Sequence, residues 1–396
     1  MNFDTFNFHP SIMAGVRALG YTIPTPIQAQ AIPPIVQGRD IIGLAQTGTG
    51  KTAAFVLPIL ERLRQGPRGC IRALIISPTR ELAEQTCEVI KGLGSKTGLR
   101  SVTIYGGVSM EQQLRVLRGG VEIIVGCPGR LLDHLWKGTV NLSRLEVLVI
   151  DEADRMFDMG FLPSIRGILE CILHRRQTLL FSATMPNDIR RLACEILNDP
   201  VTVQVDRQLP AKTVSHVLYP VEQHLKTSLL KAILNKTKTD SVLVFTRTKH
   251  RAERVAQQLG IAGLKVTSLQ GDLSQNQRET AIAGFRNGSF KILVATDIAA
   301  RGIDILSISH VINYDMPEST YDYIHRIGRT GRVDKSGDAL TFVTNDDSDK
   351  IRSLERLLGV KLERLTVQGF DYAKPALDKA VRPSYRLPRQ VVRNRR

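Results

Sequence analysis

The sequence predicts an α/β protein of two tandem domains, each a mostly parallel sheet covered by helices on both faces. Short apolar runs rich in β-branched residues alternate with longer segments of helical character along most of the 396 residues. Runs that are apolar on both faces and alternate with helices are typical of parallel sheets buried on both sides. Because these runs outnumber the strands of an ordinary open sheet, and the chain is long for a single core, two domains are expected.

The expected strands follow the apolar runs in chain order. In the first half they are DIIGLA (40–45), RALIIS (72–77), SVTIY (101–105), VEIIVG (121–126), EVLVID (146–151), QTLLFSAT (177–184) and VTVQV (201–205). In the second half they are SVLVFT (241–246), KVTSLQG (265–271), KILVATD (291–297), HVINYD (310–315) and ALTFVT (339–344). The polar stretch DRQLPAKTV, around 206–214, contains Pro210 and interrupts this pattern, so it predicts the domain boundary. The alternative is a long loop within one large sheet.

Composition limits the class of protein. The chain holds 54 Lys+Arg against 38 Asp+Glu, a formal charge of +16, which indicates a polyanionic partner unless it serves solubility alone. Five cysteines without a C-x-x-C pair argue against a zinc site or disulfide framework and fit a reducing compartment. The start, MNFDTFNFHPSIM, lacks the features of a signal peptide, and no apolar run approaches the roughly 20 residues that span a bilayer. We therefore expect a soluble cytoplasmic protein without membrane contact.

A phosphate-binding loop is predicted at AQTGTGKT, between the run DIIGLA and the helical segment KTAAFVLPILERL. Its members are Ala45, Gln46, Thr47, Gly48, Thr49, Gly50, Lys51 and Thr52. In such a loop the backbone N–H groups and a helix N-terminus cradle the phosphates, Lys51 reaches the outer phosphates and the Thr52 hydroxyl ligates Mg²⁺. The strict pattern has glycine where Ala45 stands, and chance matches to short patterns are common; the strand before and the helix after favour the functional interpretation.

An acidic pair follows another expected strand, in EVLVIDEAD. The carboxyl ends of parallel strands converge on the ligand crevice, so Asp151 is expected to hold Mg²⁺, through water, and Glu152 to orient and deprotonate the attacking water. Taken alone, such a pair is usually a solvated turn. Its combination with a phosphate loop favours catalysis.

The segment HRIGRTGR (325–332) collects three arginines in the half of the chain that lacks a G-K-T sequence. One nucleotide must then serve both halves, and arginines donated from a neighbouring domain to a transferring phosphoryl group are arginine fingers. The alternative is a basic loop on nucleic acid.

Eight motifs in this order resemble those of the DEAD-box ATP-dependent RNA helicases. They are AQTGTGKT (45–52), PTREL (78–82), GG (106–107), PGR (128–130), DEAD (151–154), SAT (182–184), ARGID (300–304) and HRIGRTGR (325–332). The details MNFD and DRMFDMGF (154–161) are most similar to the bacterial RhlE-type branch. The resemblance covers about residues 1 to 345 and implies two tandem RecA-like domains.

The resemblance also implies roles for residues at matching positions. Adenine and ribose are expected to contact Phe3, Tyr21, Gln28 and Asp304. The γ-phosphate fingers, catalytic together with Glu152 and Lys51, are Arg329 and Arg332. Coupling between the domains is assigned to Asp154, Ser182, Thr184, His325 and Arg326. RNA contacts are assigned to Thr79, Arg80, Gly107, Arg130, Thr248, Gly271 and Thr296. Cys127 departs from the family, which usually has threonine before PGR, and a thiol is a poor hydrogen-bond donor.

The organisation implied is an adenine-recognition element at 1–30, a first domain at 31–206, a linker at 207–213, a second domain at 214–373 and a basic tail at 374–396. The tail carries eight Lys/Arg and one Asp, and is expected to be disordered and to bind RNA unless it is simply a solvated end.

The implied activity is RNA-stimulated ATP hydrolysis, with Mg²⁺, that locally unwinds short RNA duplexes or remodels RNA–protein complexes. Expected partners are single-stranded and short duplex RNA, bound with little sequence preference because most contacts go to sugar and phosphate, and ribonucleoprotein or RNA-decay assemblies. The alternative is an ATP-dependent RNA clamp that unwinds little. It would use the same residues, and a strand-separation assay distinguishes it from a helicase. A second alternative is a DNA-translocating motor, which is distinguished from an RNA helicase by comparing how strongly RNA and DNA stimulate the ATPase activity.

Overall fold

The computed structural model describes residues 2–46, 48–174, 176–205, 214–236, 241–300, 308–328, 330 and 337–375. Within them the chain forms two seven-stranded sheets, and every pairing between their strands is parallel. The expected α/β class with two parallel sheets is confirmed. The expected linker at 207–213 lies outside the described residues.

The first sheet has the strand order β3-β4-β2-β5-β6-β1-β7. Its strands are β1 (Ile41–Leu44), β2 (Ala73–Ile76), β3 (Ser101–Ile104), β4 (Ile123–Gly126), β5 (Val147–Ile150), β6 (Gln177–Ser182) and β7 (Val201–Gln204). The helices of this half are α1 (Pro10–Ala18), α2 (Pro26–Val36), α3 (Lys51–Leu63), α4 (Arg80–Leu93), α5 (Met110–Arg118), α6 (Pro128–Trp136), α7 (Ala153–Asp158), α8 (Leu162–Glu170) and α9 (Asn187–Ile196).

The second sheet has the order β10-β11-β9-β12-β13-β8-β14. Its strands are β8 (Val214–Pro220), β9 (Val242–Thr246), β10 (Val266–Leu269), β11 (Ile292–Thr296), β12 (His310–Asn313), β13 (Gly337–Val343) and β14 (Glu363–Arg364). The helices of this half are α10 (Lys226–Lys236), α11 (Lys249–Ile261), α12 (Gln275–Arg286), α13 (Asp297–Ala300), α14 (Thr320–Ile327) and α15 (Ser348–Leu358). Each expected apolar run overlaps one of these strands; β8 and β14 were not expected.

Both faces of the first sheet are buried, as the apolar runs require. Successive side chains of a strand point to opposite faces. Val147 and Val149 of β5 join the apolar cluster that includes α3, whereas Leu148 and Ile150 join the cluster on the other face. Burial on two faces therefore accounts for the continuous apolar sequence of β5.

The last strand covers the edge of the second sheet. Glu363 and Arg364 of β14 pair with Val217 and Leu218 of β8, and the chain then turns so that the Tyr372 hydroxyl accepts a hydrogen bond from the Val367 backbone N–H (2.9 Å). Further along, the Lys374 carbonyl lies 2.8 Å from a ring nitrogen of His224. The segment that leads to the basic tail is thus attached to the second domain. The tail beyond residue 375 lies outside the described residues.

None of the described helices is long and apolar enough to cross a membrane.

Candidate active site

The phosphate loop joins the carboxyl end of β1 to the start of α3. The Ala45 backbone N–H donates to the Ser182 carbonyl (3.0 Å), which fixes the loop against the end of β6. The Thr49 hydroxyl donates to the Gln46 carbonyl (2.7 Å), and α3 begins at Lys51 directly after Gly50. The N–H groups of the first helical turn therefore face the end of the sheet, where an anion is stabilised. Thr47 lies outside the described residues.

Lys51 fits an anionic ligand. Its side chain is 5% exposed, and its Nζ has no hydrogen-bond partner among the described residues. The closest carboxylate oxygen in an ion pair is Glu152 Oε1, at 4.0 Å. A buried ammonium group without a hydrogen bond is unfavourable, so the site is suited to a phosphate that would complete its coordination.

The acidic pair follows β5 at the same edge of the sheet. Asp151 is buried, and burial raises the pKa of its carboxyl group, with Lys51 acting in the opposite direction. Its Oδ1 accepts the Glu152 backbone N–H at 3.0 Å. Asp151 and the half-buried Thr52 supply hard oxygen donors, a set that suits Mg²⁺ held together with a nucleotide. The described residues contain no group of three or more His, Cys, Asp or Glu side chains arranged around a metal position.

Glu152 has an unusual backbone conformation. Its φ of 53° and ψ of 51° lie in the left-handed region, which a non-glycine residue rarely adopts and which is often found at functional sites. Its Oε2 makes an ion pair with Arg155 Nη1 at 2.6 Å, and both side chains are buried. The two oxygens of this carboxylate therefore face different cations, Arg155 and Lys51.

The last carboxylate of the DEAD motif binds the SAT motif. Asp154 Oδ2 accepts hydrogen bonds from the Thr184 backbone N–H (2.8 Å) and the Thr184 hydroxyl (2.9 Å). The Asp154 backbone N–H donates to the Ser182 hydroxyl (3.2 Å). The two motifs expected to couple the domains are thus joined to each other inside the first domain.

The adenine element contacts the phosphate loop through Gln28. The side-chain amide donates from Nε2 to the Gly50 carbonyl (3.1 Å) and accepts at Oε1 from the Thr25 backbone N–H (2.9 Å). A Cβ at Gly50 would lie 2.5 Å from Nε2, so this approach requires glycine. The Gln28 amide therefore keeps one free N–H donor and one free acceptor position. An adenine edge pairs with one donor and one acceptor.

The structure differs from the expectation for Phe3. Its ring is 3% exposed, packs edge-on against Phe6 and stacks on Tyr21 with the centroids 6.1 Å apart. A ring enclosed in this way has no open face for a base. Tyr21, which is half-buried, is the aromatic residue of this pair with exposed surface, and Phe3 supports it from behind.

Arg326 is hydrogen-bonded within the second domain. Its guanidinium donates to both carboxylate oxygens of Asp297 (2.6 and 2.7 Å), to Asn313 Oδ1 (3.1 Å) and to the Asp315 carbonyl (2.8 Å). All of these partners belong to the second domain, and Arg326 is buried. Arg326 therefore holds the start of α13 inside that domain, whereas its expected role in coupling the domains stays a prediction. His325 is half-buried.

Three further predicted residues, Asp304, Arg329 and Arg332, lie outside the described residues. Their assignment to the ribose and the γ-phosphate stays a prediction from the sequence.

The residues assigned to RNA in the first domain surround the start of α4. Thr79 caps this helix, and the Arg80 guanidinium lies 5.9 Å from the Tyr105 ring centroid. Gly107 has a φ of 80°, which favours glycine, and it lies directly beneath Arg80, since a Cβ there would be 2.3 Å from Arg80 Nη2. Arg130 donates to the Val108 carbonyl at 3.0 Å. Gly107 and the adjacent Val108 thus bring Arg80 and Arg130 together, and Thr79 beside Arg80 is buried.

In the second domain the residues assigned to RNA lie at the carboxyl ends of neighbouring strands. Thr296 ends β11, Gly271 follows β10, and Thr248 follows β9 and caps α11. Because the strands are parallel, the three residues share one edge of the sheet.

Two contacts that the sequence did not predict join the domains beside this surface. Arg278 of α12 donates from Nε (3.0 Å) and Nη2 (2.5 Å) to Glu81 Oε1 of α4. Arg80 donates to Gln275 Oε1 at 2.9 Å. The sequence offered one indication of this contact, since Glu81 lies within the PTREL motif. Its partner Arg278, however, is about 200 residues away in the sequence and belongs to none of the eight motifs.

Cys127 is the first residue before α6 and makes no side-chain capping hydrogen bond. Burial raises the pKa of its thiol to about 12, so it is a neutral, buried group. The cap that a threonine hydroxyl supplies at this position is missing here.

Comparison with known proteins gives consistent results along the chain. Residues 25–192 match the family described as DEAD/DEAH box helicase, and residues 225–334 match the helicase conserved C-terminal domain. The DEAD-box ATP-dependent RNA helicase CshA of Geobacillus kaustophilus is 40% identical over 97% of this chain and 81% of the relative. CshA of Bacillus subtilis is 39% identical over 96% of this chain and 76% of the relative.

Solved structures show the same similarity. Saccharomyces cerevisiae Dbp5 bound to RNA and ADP BeF3 is 31% identical, covers 92% of this chain and 95% of its own, and has a TM-score of 0.82. A DEAD box protein from Methanococcus jannaschii is 36% identical and covers 92% and 99%, with a TM-score of 0.53. The higher score belongs to the RNA- and nucleotide-bound structure despite its lower sequence identity.

Proposed function

This chain belongs to the DEAD-box ATP-dependent RNA helicases, and on that premise we propose how its residues divide the work. It is an ATP-dependent RNA helicase with two tandem RecA-like domains. The proposal is that RNA-stimulated ATP hydrolysis is coupled to closure of the two domains, which separates short duplexes locally.

The observation that supports this chemistry best is the approach of Glu152 to Lys51. These two buried side chains come from different loops at one sheet edge, and their charged atoms lie 4.0 Å apart. With the outer phosphates on Lys51, the Glu152 carboxylate is within reach of a water that attacks the γ-phosphate. Glu152 then acts as the general base, and Lys51 stabilises the charge on the phosphoryl oxygens.

Mg²⁺ is proposed as the metal bound with ATP, with Thr52 and Asp151 as the protein residues that hold it. When bound, it neutralises charge on the phosphate oxygens. The hydroxyl and carboxylate oxygens of these residues suit this ion.

The recognition of adenine is proposed to depend on Gln28 and Tyr21. The hydrogen bond from Gln28 to the Gly50 carbonyl links base recognition to the phosphate loop, so that one residue supports both parts of the nucleotide site. Asp304, Arg329 and Arg332 keep their predicted roles at the ribose and the γ-phosphate as proposals from the sequence.

RNA is proposed to lie across both domains, on the surface formed by Arg80, Gly107, Thr248, Gly271 and Thr296. Two features support this proposal: the interdomain hydrogen bonds next to this surface, and the similarity to Dbp5 bound to RNA. Contacts to sugar and phosphate predict little sequence preference.

Three finer points stay proposals. The MNFD and DRMFDMGF sequences favour the RhlE-type branch, whereas the relatives compared above are named CshA. Ribonucleoprotein or RNA-decay assemblies are proposed partners. The proposed location is the cytoplasm.

The test of the proposed function is Glu152→Gln in the full chain. We expect ATP binding close to that of the wild type, loss of ATP turnover, and accumulation of a complex with RNA and ATP, because affinity comes from the phosphate loop and the adenine contacts. Glu195→Gln is the matched control, since Glu195 is an exposed carboxylate of the first domain that pairs with Arg166. Turnover within a few-fold of the wild type would exclude Glu152 as the base.

A further inference from the structure

We propose that Arg155 is a positioning residue that holds the Glu152 carboxylate with one oxygen directed toward the phosphate loop. The inference rests on the proposed function, in which Glu152 is the general base, and assigns the residue that fixes its orientation.

The burial of Arg155 calls for a specific role. Its side chain is 2% exposed and is among the largest fully buried side chains of the described residues. Removing a guanidinium from water is costly unless charged and polar groups surround it. Arg155 lies in α7, a helix of six residues, so general stabilisation of a long helix does not explain it.

The predicted base forms an ion pair with the guanidinium. Arg155 Nη1 lies 2.6 Å from Glu152 Oε2, three residues earlier in the chain. The Arg155 backbone N–H donates to Asp154 Oδ1 at 3.0 Å, so the same residue also contacts the carboxylate that holds Thr184. Arg155 therefore contacts two of the three carboxylates of the motif.

The two oxygens of Glu152 are distinguished by this contact. Oε2 is held by Arg155, while Oε1 faces Lys51 Nζ at 4.0 Å, beyond hydrogen-bonding distance. A glutamate side chain has several rotatable bonds, and an ammonium at 4.0 Å would attract it. Without Arg155 the carboxylate is expected to turn toward Lys51, so that it no longer presents Oε1 to the attacking water.

The left-handed backbone at Glu152 supports the same conclusion. A residue with φ of 53° persists only where surrounding contacts hold it. The ion pair to Arg155 spans one turn from this strained residue to the helix that follows. Arg155 thus fixes the carboxylate end of the Glu152 side chain, while the Met156 backbone N–H donates to the Glu152 carbonyl at 3.1 Å.

The first experiment compares Arg155→Met and Arg155→Lys with the wild type in the full chain, with ATP and saturating oligouridylate RNA. A misplaced base costs about 10- to 100-fold in rate. We expect kcat to fall by about that factor in Arg155→Met while the KM for ATP changes by about three-fold or less. Arg155→Lys, which keeps a charge but not the planar donor group, should recover part of the loss.

The control separates positioning from stability. Arg72 is another buried arginine of the first domain, paired with Glu146 at 2.5 Å and remote from the phosphate loop. Arg72→Met is expected to lower the unfolding midpoint without lowering the kcat of the folded protein. Unfolding midpoints are measured for every variant, and rates are compared below the lowest of them.

The second experiment repeats Arg155→Met and Arg155→Lys in a Glu152→Gln background by single-turnover hydrolysis. If Arg155 acts through Glu152, neither substitution slows the residual rate further. The proposal is overturned if the Arg155 substitutions lower the hydrolysis rate by the same factor with Glu152 and with Gln at position 152. It is also overturned if both single Arg155 variants have the kcat of the wild type. If Arg155→Met does not fold, the Arg155→Lys pair of measurements decides alone. If Glu152→Gln hydrolyses ATP at close to the wild-type rate, the assignment of Glu152 as the base is refuted. That result differs from a normal kcat in the Arg155 variants, which refutes only the positioning role.

Discussion

Removing the Arg278 side chain is expected to weaken RNA binding only when the nucleotide site is filled. Arg278 in α12 and Glu81 in α4 join the two domains beside the RNA surface. If the domains separate without nucleotide, this pair exists only in the closed arrangement. Its loss then shifts the equilibrium away from closure. Within the second domain Arg278 also donates to the Ala299 carbonyl at 3.4 Å, a long hydrogen bond whose loss is expected to change that domain little.

The magnitude follows from the geometry. Two guanidinium nitrogens reach one carboxylate oxygen at 3.0 and 2.5 Å, and the side chains are only 15% and 11% exposed. Hydrogen bonds to charged groups contribute about 1.5–3 kcal/mol, more than an exposed surface pair. Since each 1.4 kcal/mol is about tenfold, the RNA dissociation constant of the closed state should rise by about 10- to 100-fold.

The assay is RNA affinity of Arg278→Ala with and without ADP and beryllium fluoride, which mimic bound ATP. Arg352→Ala serves as the control for loss of charge, because Arg352 is an exposed arginine of α15 that pairs with Asp349. The exchange of charges, Glu81→Arg with Arg278→Glu, should restore part of the affinity. This restoration would show that the two side chains act on each other.

Two outcomes would refute the reasoning. An equal loss of affinity with and without nucleotide would make Arg278 a direct RNA ligand. Unchanged affinity in both conditions would mean that the pair does not stabilise the RNA-bound arrangement.

The remaining predictions concern single positions. Gln28→Ala removes the hydrogen bond to the Gly50 carbonyl (3.1 Å), so the KM for ATP should rise about five-fold and the preference for ATP over GTP should fall, measured as hydrolysis of both nucleotides; equal hydrolysis of both by the wild type would contradict it. Arg329→Ala should lower kcat by at least about 10²-fold at saturating RNA; loss of nucleotide-free RNA binding instead would identify an RNA ligand. Cys127→Thr should supply the missing helix cap, worth about 0.5–2 kcal/mol, and raise the unfolding midpoint, measured by thermal denaturation; an unchanged midpoint would contradict this role. Deletion of residues 376–396 should flatten the plot of log K against log salt for RNA by roughly two to four units without changing kcat; an unchanged slope would exclude an RNA tether.

The fold was largely accessible from the sequence because central parallel strands carry their own signal. β5 is apolar at every position since both of its faces are covered, and β9 is likewise buried at every position. β8 lacked this signal because His216, Tyr219 and Pro220 interrupt its apolar residues. β14 is only Glu363 and Arg364, which join the sheet edge through backbone hydrogen bonds. A two-residue polar edge strand such as β14 leaves no apolar pattern to detect.

The site was predictable where chemistry depends on a local motif and less so where it depends on packing. Lys51 and Glu152 belong to motifs, and the parallel order of β1 and β5 brings them to one edge. The burial of Phe3 depends on contacts with Tyr21, and the enclosure of Arg326 depends on Asp297 in another element. Such neighbours are set by tertiary structure, which residue types and spacing alone do not specify.

The position of β1 in the first sheet has a consequence for the newly synthesised protein. β1 pairs with β6 and β7, so the strand that carries the phosphate loop has no neighbour in the sheet until Gln177 and the residues after it have been made. At roughly 5–20 residues per second, the ribosome needs on the order of 10 s to extend the chain from Leu44 to Gln177. During that time an apolar strand and a glycine-rich loop are exposed without nucleotide affinity. The first domain therefore becomes able to bind ATP only late in its synthesis. A chaperone that shields apolar strands would act before β6 emerges.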